Sequence, residues 1–467
     1  MDNLSTKEWA ELCFGDAKLG DSRRTKRLVK LAEDMADGAD KSIVNACLQP
    51  EKIEAAYRFF RNEKITTPDI AESGFLKTTA LIDSSPLVLA IQDTTGLTYR
   101  HSVCDELGSV NCASDSAKSA KARTLYAHST LIVDAQDEHV IGLADQIYWH
   151  REEKIKDSEK ENKKRSYKEK ESHRWVTALE NVEKRKGDLN NVINVCDREA
   201  DVYEYMSIQK ELGNRFVIRA KEKRLLKGED KNVQELVNAT SGKCDYIVNV
   251  DQRSGRKARQ AKMTVSFKTV TLAKPQRSEG KENLKVNIII CKEMDATAKQ
   301  PLCWILYTTE SIERIEDAMK IIRYYEIRWK IEVFHKIWKT DGANVEGVRM
   351  QTREALMRIA IIKAFIAVRL FQLKELVENQ EIAKEIKCTS YVDDISWKLL
   401  WLKLEGEKEI PKEVPSLFWL YYSIAKLGRW HDSKRTGRVG MKALWSGWLA
   451  LAEMVESAKL AKKLFGL

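Results

Sequence analysis

The sequence predicts a layered α/β fold for the central part of the chain, with helical segments at both ends. Short apolar runs that end in polar residues, such as PLVLAIQDTT, NNVINVCDREAD and RFVIRAKEKR, are typical of buried strands. A segment between them, RWVTALENVEKRKG, has the periodicity of an amphipathic helix. Strands mixed with helices indicate that sheet and helix layers pack around a common core.

Further strands are expected on both sides of that helix. The segment HSTLIVDAQDEHVIGLADQIYWH predicts two strands joined by a turn at Gln136 and Asp137. Residues 222–306 contain strand-like runs such as KVNIIICKEM, and we interpret this segment as a β-rich insertion in the core. The insertion includes a basic turn with Arg253, Arg256, Lys257, Arg259 and Lys262.

The two ends of the chain are predicted to be helical. Ser5 and Glu8 have the spacing of a capping box, and Asp21 is placed to cap a second helix. Basic residues on short helices suit contacts with DNA phosphates, although a solvated basic surface would give the same pattern. These patterns divide the chain into a basic helical segment over 1–65, suited to DNA binding, an α/β core over 66–375 and a helical region over 376–467. The basic residues in the first of these include Arg23, Arg24, Arg27, Arg58 and Arg61.

Composition narrows the class of protein. The 467 residues carry 80 Lys and Arg against 70 Asp and Glu, a net charge of +10 that favours a polyanionic partner. The nine cysteines are scattered and form no Cys-x-x-Cys pair, which argues against a disulfide framework and a zinc knot. Because the chain has no signal-peptide pattern and no run of 18 apolar residues, we expect no membrane association and a cytoplasmic protein.

Two aspartates are candidate metal ligands. Asp93 and Asp197 each follow an apolar run, so both are predicted at strand ends, where active sites of layered α/β folds gather. Two carboxylates that meet at one point repel each other unless a cation lies between them, and Mg²⁺ prefers oxygen ligands. Asp93 could equally be a turn residue, and Asp197 could pair with Arg198.

A third acid is expected from the longest helical pattern, about 311–340. Four residues recur at i, i+3, i+7 and i+14, which places them within an arc of about 60° on one helix face. That face presents a carboxylate, two cations and a phenol, and an ordinary amphipathic surface remains an alternative. The four residues are Tyr325, Arg328, Glu332 and Lys339.

Several segments resemble bacterial cut-and-paste transposases of the Tn-five type, in the insertion-sequence-four family. IQDTTGLTYRH and NVCDREADVYEY are similar to the two segments that carry the catalytic aspartates in that family. YEIRWKIEVFHKIWKT contains the family's Tyr-x2-Arg-x3-Glu-x6-Lys signature in full. DSRRTKRLVKLA, AAYRFFRN and HDSKRTG extend the resemblance over nearly the whole chain.

The resemblance implies roles for individual residues. Asp93, Asp197 and Glu332 would be the catalytic metal ligands of an RNase H-like mixed-sheet core, using two Mg²⁺ or Mn²⁺ ions. Trp304 would stack on a flipped base at the transposon end, although core packing in its apolar strand is the alternative. Phosphates near the scissile bond would be held by Tyr325, Arg328 and Lys339. The DNA-binding surface would continue over Arg219, Lys221 and Arg224. Recognition of the transposon end would use Arg23, Arg24, Arg27, Lys41, Arg58 and Arg61.

The resemblance also implies a reaction: cleavage of double-stranded transposon ends through a hairpin, followed by transfer of the 3′ ends into target DNA by a homodimer. A stripe of Leu444, Trp448, Leu451 and Val455 fits a dimer contact, or intramolecular packing. Three other functions were weighed: a nuclease without strand transfer, a non-catalytic dimerising inhibitor and a DNA-binding regulator. The complete carboxylate set and the N-terminal basic helices favour the transposase.

Overall fold

The fold is seen in a computed structural model of the chain. The structure describes residues 4–38, 42–47, 49–107, 122–151, 165–221, 224–228, 232–240, 242, 244–250, 259–280, 282–294, 301–406, 408–433, 437 and 439–465. Lys41, and Arg253, Arg256 and Lys257 of the basic turn, lie outside these residues.

A nine-stranded mixed sheet forms the centre of the fold. β1 pairs antiparallel with β2 and parallel with β4, and β4 pairs parallel with β5. Beyond β5, the strands β9, β8, β7 and β6 follow in that order, each antiparallel to the one before it. The order across the sheet is β3-β2-β1-β4-β5-β9-β8-β7-β6. The strands are β1 (Val88–Tyr99), β2 (Arg123–Asp134), β3 (Val140–Trp149), β4 (Val192–Cys196), β5 (Arg215–Arg219), β6 (Cys244–Val250), β7 (Arg259–Leu272), β8 (Leu284–Glu293) and β9 (Cys303–Thr308).

The N-terminal segment is helical and begins as its capping residues predict. Ser5 and Glu8 form the expected capping box on α1, and the Asp21 side chain accepts a hydrogen bond from the Arg23 backbone N–H at the start of α2. The helices are α1 (Thr6–Phe14), α2 (Ser22–Asp37), α3 (Ile43–Cys47), α4 (Pro50–Arg61) and α5 (Thr67–Ala80).

The remaining helices cover both faces of the sheet and then form the C-terminal region. They are α6 (Arg174–Lys186), α7 (Tyr203–Glu211), α8 (Val233–Ala239), α9 (Ile315–Ile327), α10 (Trp329–Lys336), α11 (Arg353–Glu378), α12 (Gln380–Glu385), α13 (Asp394–Glu405), α14 (Leu417–Leu427) and α15 (Met441–Phe465). Among the helices that the structure describes, none has the length and apolar character needed to cross a bilayer.

Alternating residues of β1 contact two separate hydrophobic cores. Leu89 and Ile91 lie in the core that includes α10, α11 and the N-terminal helices, whereas Val88 and Ala90 lie in the core under α6 and α7. Because successive side chains of a strand point to opposite faces, Asp93 shares the face of Leu89 and Ile91. This face places Asp93 toward α9 and α10.

Two boundaries differ from the sequence prediction. β1 continues six residues beyond Asp93 to Tyr99, because its second half stays paired with the long strand β2 after β4 has ended. The helical run predicted over 311–340 is also not continuous. It breaks at Arg328 between α9 and α10, and residues Ile337–Asp341 form a π-helical turn. The four signature residues therefore do not lie on one regular helix.

The C-terminal apolar stripe packs within the chain, which corrects its use as a dimer surface. Leu444, Leu451 and Val455 are at most 7% exposed and belong to the same core as α14. A Cβ on Gly447 would come within 1.8 Å of the Ile424 carbonyl oxygen, so this glycine allows α15 to lie directly against α14. Close helix packing thus covers the stripe that the sequence left open.

Candidate active site

Asp93 lies where two strands diverge. It is the first residue of β1 beyond the parallel pairing with β4, which ends at Gln92 and Cys196. Its backbone remains paired with Ser129 of β2, so Asp93 is inside a strand and not at a strand end as expected. One carboxylate oxygen, Oδ1, accepts a hydrogen bond of 2.8 Å from the Thr94 backbone N–H. The other, Oδ2, faces α9 and α10.

Asp197 directly follows β4, as predicted. Its carboxylate accepts a hydrogen bond of 2.8 Å from the Glu199 backbone N–H and so caps the short 3₁₀ turn Arg198–Ala200. Because β1 and β4 are adjacent and parallel, the two aspartates come to neighbouring positions at one edge of the pairing. The sequence placed this residue correctly from the end of an apolar run.

Arg328 joins the acids on the sheet to the acid on the helix. Its Nη2 lies 2.6 Å from Glu332 Oε1, and its Nη1 lies 3.8 Å from Asp93 Oδ2. The guanidinium is only 12% exposed, so these ion pairs are weakly screened. Arg328 therefore occupies the position of a cation between two carboxylates, and α9 and α10 meet at this residue.

The charges of the other two predicted acids act on Asp93. Burial, followed by the negative charges of Asp197 and Glu332, raises the pKa of the Asp93 carboxyl to about 7. Arg328 and the Thr94 N–H act in the opposite direction and only partly offset this effect. The like charges repel at this point, which is the condition that a bound divalent cation relieves.

The π-helical turn Ile337–Asp341 brings Lys339 next to β1. Its Nζ lies 3.3 Å from Thr95 Oγ1 and 3.7 Å from Glu346 Oε1. A π turn inserts extra residues into the helix and rotates the residues that follow it. Lys339 consequently contacts β1 beyond Asp93, although the regular helix used for the prediction is interrupted.

Trp304 and Tyr325 form an aromatic pair beside Arg328. Their ring centroids are 6.2 Å apart in an edge-on arrangement, and the Arg328 guanidinium lies 5.5 Å from the Tyr325 ring centroid. Tyr325 is 5% exposed and its hydroxyl is buried without a hydrogen-bond partner, whereas Trp304 is partly exposed. The structure thus places Tyr325 beside Arg328 and Trp304 beside Tyr325, and core packing accounts for part of the Trp304 side chain.

The three basic residues at the end of β5 and after it each contact other parts of the chain, which the sequence did not predict. The Arg224 guanidinium forms an ion pair with the buried carboxylate of Asp201, and Lys221 Nζ lies 3.3 Å from the Asp201 carbonyl oxygen. Arg219 donates a hydrogen bond of 3.3 Å to the Cys303 carbonyl oxygen. Arg224 is therefore a counter-ion of a buried acid in this structure, which the sequence did not indicate.

The basic residues of the N-terminal helices lie on the surface. Arg23 pairs with Asp21, Arg24 donates to the Leu19 carbonyl oxygen, and Arg61 stacks on Tyr57 at 5.4 Å. Arg27 and Arg58 are also exposed. The structure does not bring these residues to the acids.

The donor set around Arg328 fits a divalent cation. It consists of carboxylates, of which Asp93 has a raised pKa because burial and the neighbouring acids disfavour its charge, and oxygen donors are the preferred ligands of Mg²⁺ and Mn²⁺. Among the described residues, ligand atoms within 4.8 Å of one another occur instead at Asp134, Asp137 and His139. That group is explained by its turn, because Asp134 already accepts hydrogen bonds of 2.7 Å from the backbone N–H groups of Gln136 and Asp137.

Two buried histidines near the acids were not predicted from the sequence. His335 follows Glu332 by one turn of α10, is 6% exposed, and places Nδ1 4.0 Å from Asp93 Oδ2. His128 lies on β2, opposite Thr94 of β1, with its Nδ1 2.9 Å from Thr94 Oγ1 and its Nε2 3.2 Å from Gln92 Oε1. Burial lowers the pKa of both rings, that of His335 to about 3, so both are neutral. The spacing of His335 from Glu332 was the available signal in the sequence.

Two family models match the chain. Residues 6–65 match the transposase DNA-binding model, and residues 163–369 match the transposase DDE domain. The second range contains Asp197 and Glu332 and begins after Asp93. A DDE domain implies an RNase H-like fold.

A solved structure, described as a piggyBac transposase synaptic complex with hairpin DNA, is similar over 81% of this chain and 76% of that chain, at 8% sequence identity and a TM-score of 0.39. A TM-score of this size adds nothing to the assignment made by the family models. Those two models, which together span more than half of the residues, show that the chain is a DDE transposase, a metal-dependent enzyme that cleaves DNA.

Proposed function

We propose that this chain is a cut-and-paste transposase of the Tn-five type, with Asp93, Asp197 and Glu332 as its catalytic acids. The observation that carries the proposal is that Arg328 bridges Asp93 and Glu332, while the charge of Asp197 acts on Asp93. Three carboxylates from two strands and a helix influence one another electrostatically at the edge of the sheet. The three acids come from distant parts of the sequence, so the fold and not local spacing brings them into one region.

The proposed reaction is a series of in-line attacks at phosphorus. Water first breaks one strand at the transposon end and frees a 3′-hydroxyl. That hydroxyl attacks the opposite strand, forming a hairpin and releasing the flanking DNA. A second water opens the hairpin, and the 3′-hydroxyl then attacks a phosphodiester of target DNA. Each step exchanges one P–O bond for another, so one site serves all four.

The acids would hold two divalent ions, Mg²⁺ or Mn²⁺. When bound, these ions supply a lowered pKa for the attacking oxygen and neutralise charge on the leaving oxygen. Arg328 and Lys339 would bind phosphates near the scissile bond; in support, the cation of Arg328 lies 3.8 Å from Asp93, and that of Lys339 lies 3.3 Å from Thr95. Partial exposure of Trp304 beside Tyr325 supports its role as a stacking surface for an extruded base.

DNA recognition would use the exposed basic residues of the first domain. Arg23, Arg27 and Arg58 are exposed on α2 and α4, within the segment that matches the transposase DNA-binding model. From the resemblance we also propose Lys41 in this role, a homodimer that pairs two ends, and action in a bacterial cytoplasm. The dimer contact is not the stripe on α15, because α14 covers it.

A cleavage assay with a matched pair of variants tests the proposal. The purified chain is incubated with Mg²⁺ and a labelled duplex that carries the end of its own element, and hairpins are sought on denaturing gels. Glu332→Gln removes the proposed helix ligand, whereas Glu326→Gln removes a nearby carboxylate that pairs with Arg323 outside the site.

We expect hairpin formation by the wild-type chain and Glu326→Gln, and none by Glu332→Gln. Tight DNA binding without cleavage in either Mg²⁺ or Mn²⁺ would contradict the proposed reaction. Equal activity of Glu332→Gln and the wild-type chain would remove Glu332 from the site.

A further inference from the structure

His335 is a buried imidazole that faces the reactive side of Asp93. It lies on α10 three residues after Glu332, and only 6% of it is exposed. Its Nδ1 is 4.0 Å from Asp93 Oδ2, and its Nε2 is buried without a hydrogen-bond partner. A buried polar ring with one nitrogen unsatisfied is costly, so its position calls for a reason beyond packing.

The two oxygens of Asp93 have different surroundings. Oδ1 is fixed by the Thr94 backbone N–H at 2.8 Å. Oδ2 has Arg328 Nη1 at 3.8 Å on one side and His335 Nδ1 at 4.0 Å on the other. The orientation of this carboxylate therefore depends on which of the two groups draws Oδ2.

The surroundings of the ring favour one tautomer. An imidazole carries an N–H on Nδ1 or on Nε2. A proton on Nδ1 is attracted by the nearby carboxylate oxygen, whereas a lone pair on Nδ1 would be repelled by it.

We propose that His335 is a positioning residue: its Nδ1–H, 4.0 Å from Asp93 Oδ2 in this structure, closes to a hydrogen bond that holds Asp93 in the orientation required to bind a divalent cation. The proposal rests on the proposed role of Asp93 as a metal ligand. Groups that hydrogen-bond to metal-binding carboxylates fix their orientation, and their loss costs roughly 10- to 100-fold in metal affinity. In this proposal the imidazole nitrogen is not itself a metal ligand.

The test measures Mn²⁺ affinity of the full chain by electron paramagnetic resonance, without DNA. His335→Asn places an amide N–H where Nδ1 stands, whereas His335→Gln places one near Nε2 and His335→Ala provides none. His128→Asn is the matched control, because it alters a buried neutral histidine against the opposite face of the same strand. Binding of end DNA without metal is measured for each variant to show that it is folded.

We expect the Mn²⁺ dissociation constant to rise about 10- to 100-fold in His335→Ala and His335→Gln. It should stay near the wild-type value in His335→Asn and in the control. Unchanged affinity in His335→Ala would overturn the proposal, as would equal losses in the Asn and Gln variants.

A ¹⁴N coupling to Mn²⁺ that disappears in His335→Ala would also overturn it, because the ring would then be a direct ligand. Asp93→Ala separates this result from a failure of the proposed function. If Asp93→Ala binds Mn²⁺ as tightly as the wild-type chain, the assignment of Asp93 is wrong, whatever His335 does.

Discussion

Replacing Asp93 by Asn should stabilise the metal-free protein while removing metal binding. The fold raises the pKa of this carboxyl from 3.8 to about 7, because burial and the neighbouring acids disfavour its charge. A rise of about three units corresponds to about 4 kcal/mol at 1.36 kcal/mol per unit. Asparagine retains the size of the side chain and carries no charge, so Asp93→Asn should recover most of this free energy.

The pH dependence gives the sign of the effect. Since the folded pKa is raised, stability from this group is complete below pH 3.8 and is lost as the pH rises toward 7. The gain in Asp93→Asn should therefore be about 4 kcal/mol near pH 8 and only about 2 kcal/mol near pH 5. Urea unfolding without metal measures both values, and added Mg²⁺ should stabilise only the wild-type chain. An equal gain at both pH values, or no gain at pH 8, would refute the electrostatic account of the site.

Three other substitutions test contacts away from the acids. Arg358→Met removes hydrogen bonds donated to two buried carbonyls at the end of the N-terminal domain, so urea unfolding should show a loss of about 3 kcal/mol; no loss would contradict this role. His128 is held neutral, so below its ordinary pKa of 6.5 the wild-type chain should lose up to about 1.4 kcal/mol more per pH unit than His128→Asn, and equal slopes would disprove it. Arg224→Ala leaves Asp201 buried and unpaired and should destabilise the fold by about 3 kcal/mol. Weaker DNA binding at unchanged stability would instead restore Arg224 to the DNA-binding surface.

Local signals predicted those parts of the fold that local chemistry determines. The capping residues Ser5 and Asp21 mark helix starts because their side chains satisfy nearby backbone N–H groups. Asp197 was placed correctly because a run of five residues, four of them apolar, ends immediately before it. These features depend on neighbours within a few residues, which a sequence displays directly.

Features that depend on distant partners could not be predicted in the same way. β1 extends to Tyr99 because β2 pairs with it there, and the polar residues after Asp93 gave no sign of this pairing. The break at Arg328 and the π turn that carries Lys339 keep the helical pattern of apolar residues, so periodicity alone does not reveal them.

The apolar stripe on α15 illustrates the same limit. Its spacing correctly indicated a face that must be covered, but the same pattern suits a partner chain or a neighbouring helix. The close approach at Gly447 decides between them in favour of α14, and that contact joins segments whose relation is set by the tertiary fold. His335 was likewise hidden, because a histidine on an apolar helix face is usual in a core.

Anomalous scattering from crystals of the chain grown with Mn²⁺ would test the central claim most directly. The account predicts a peak bounded by carboxylate oxygens of Asp93, Asp197 and Glu332. A peak confined to Asp134, Asp137 and His139, with none beside Arg328, would contradict the assignment of the active site.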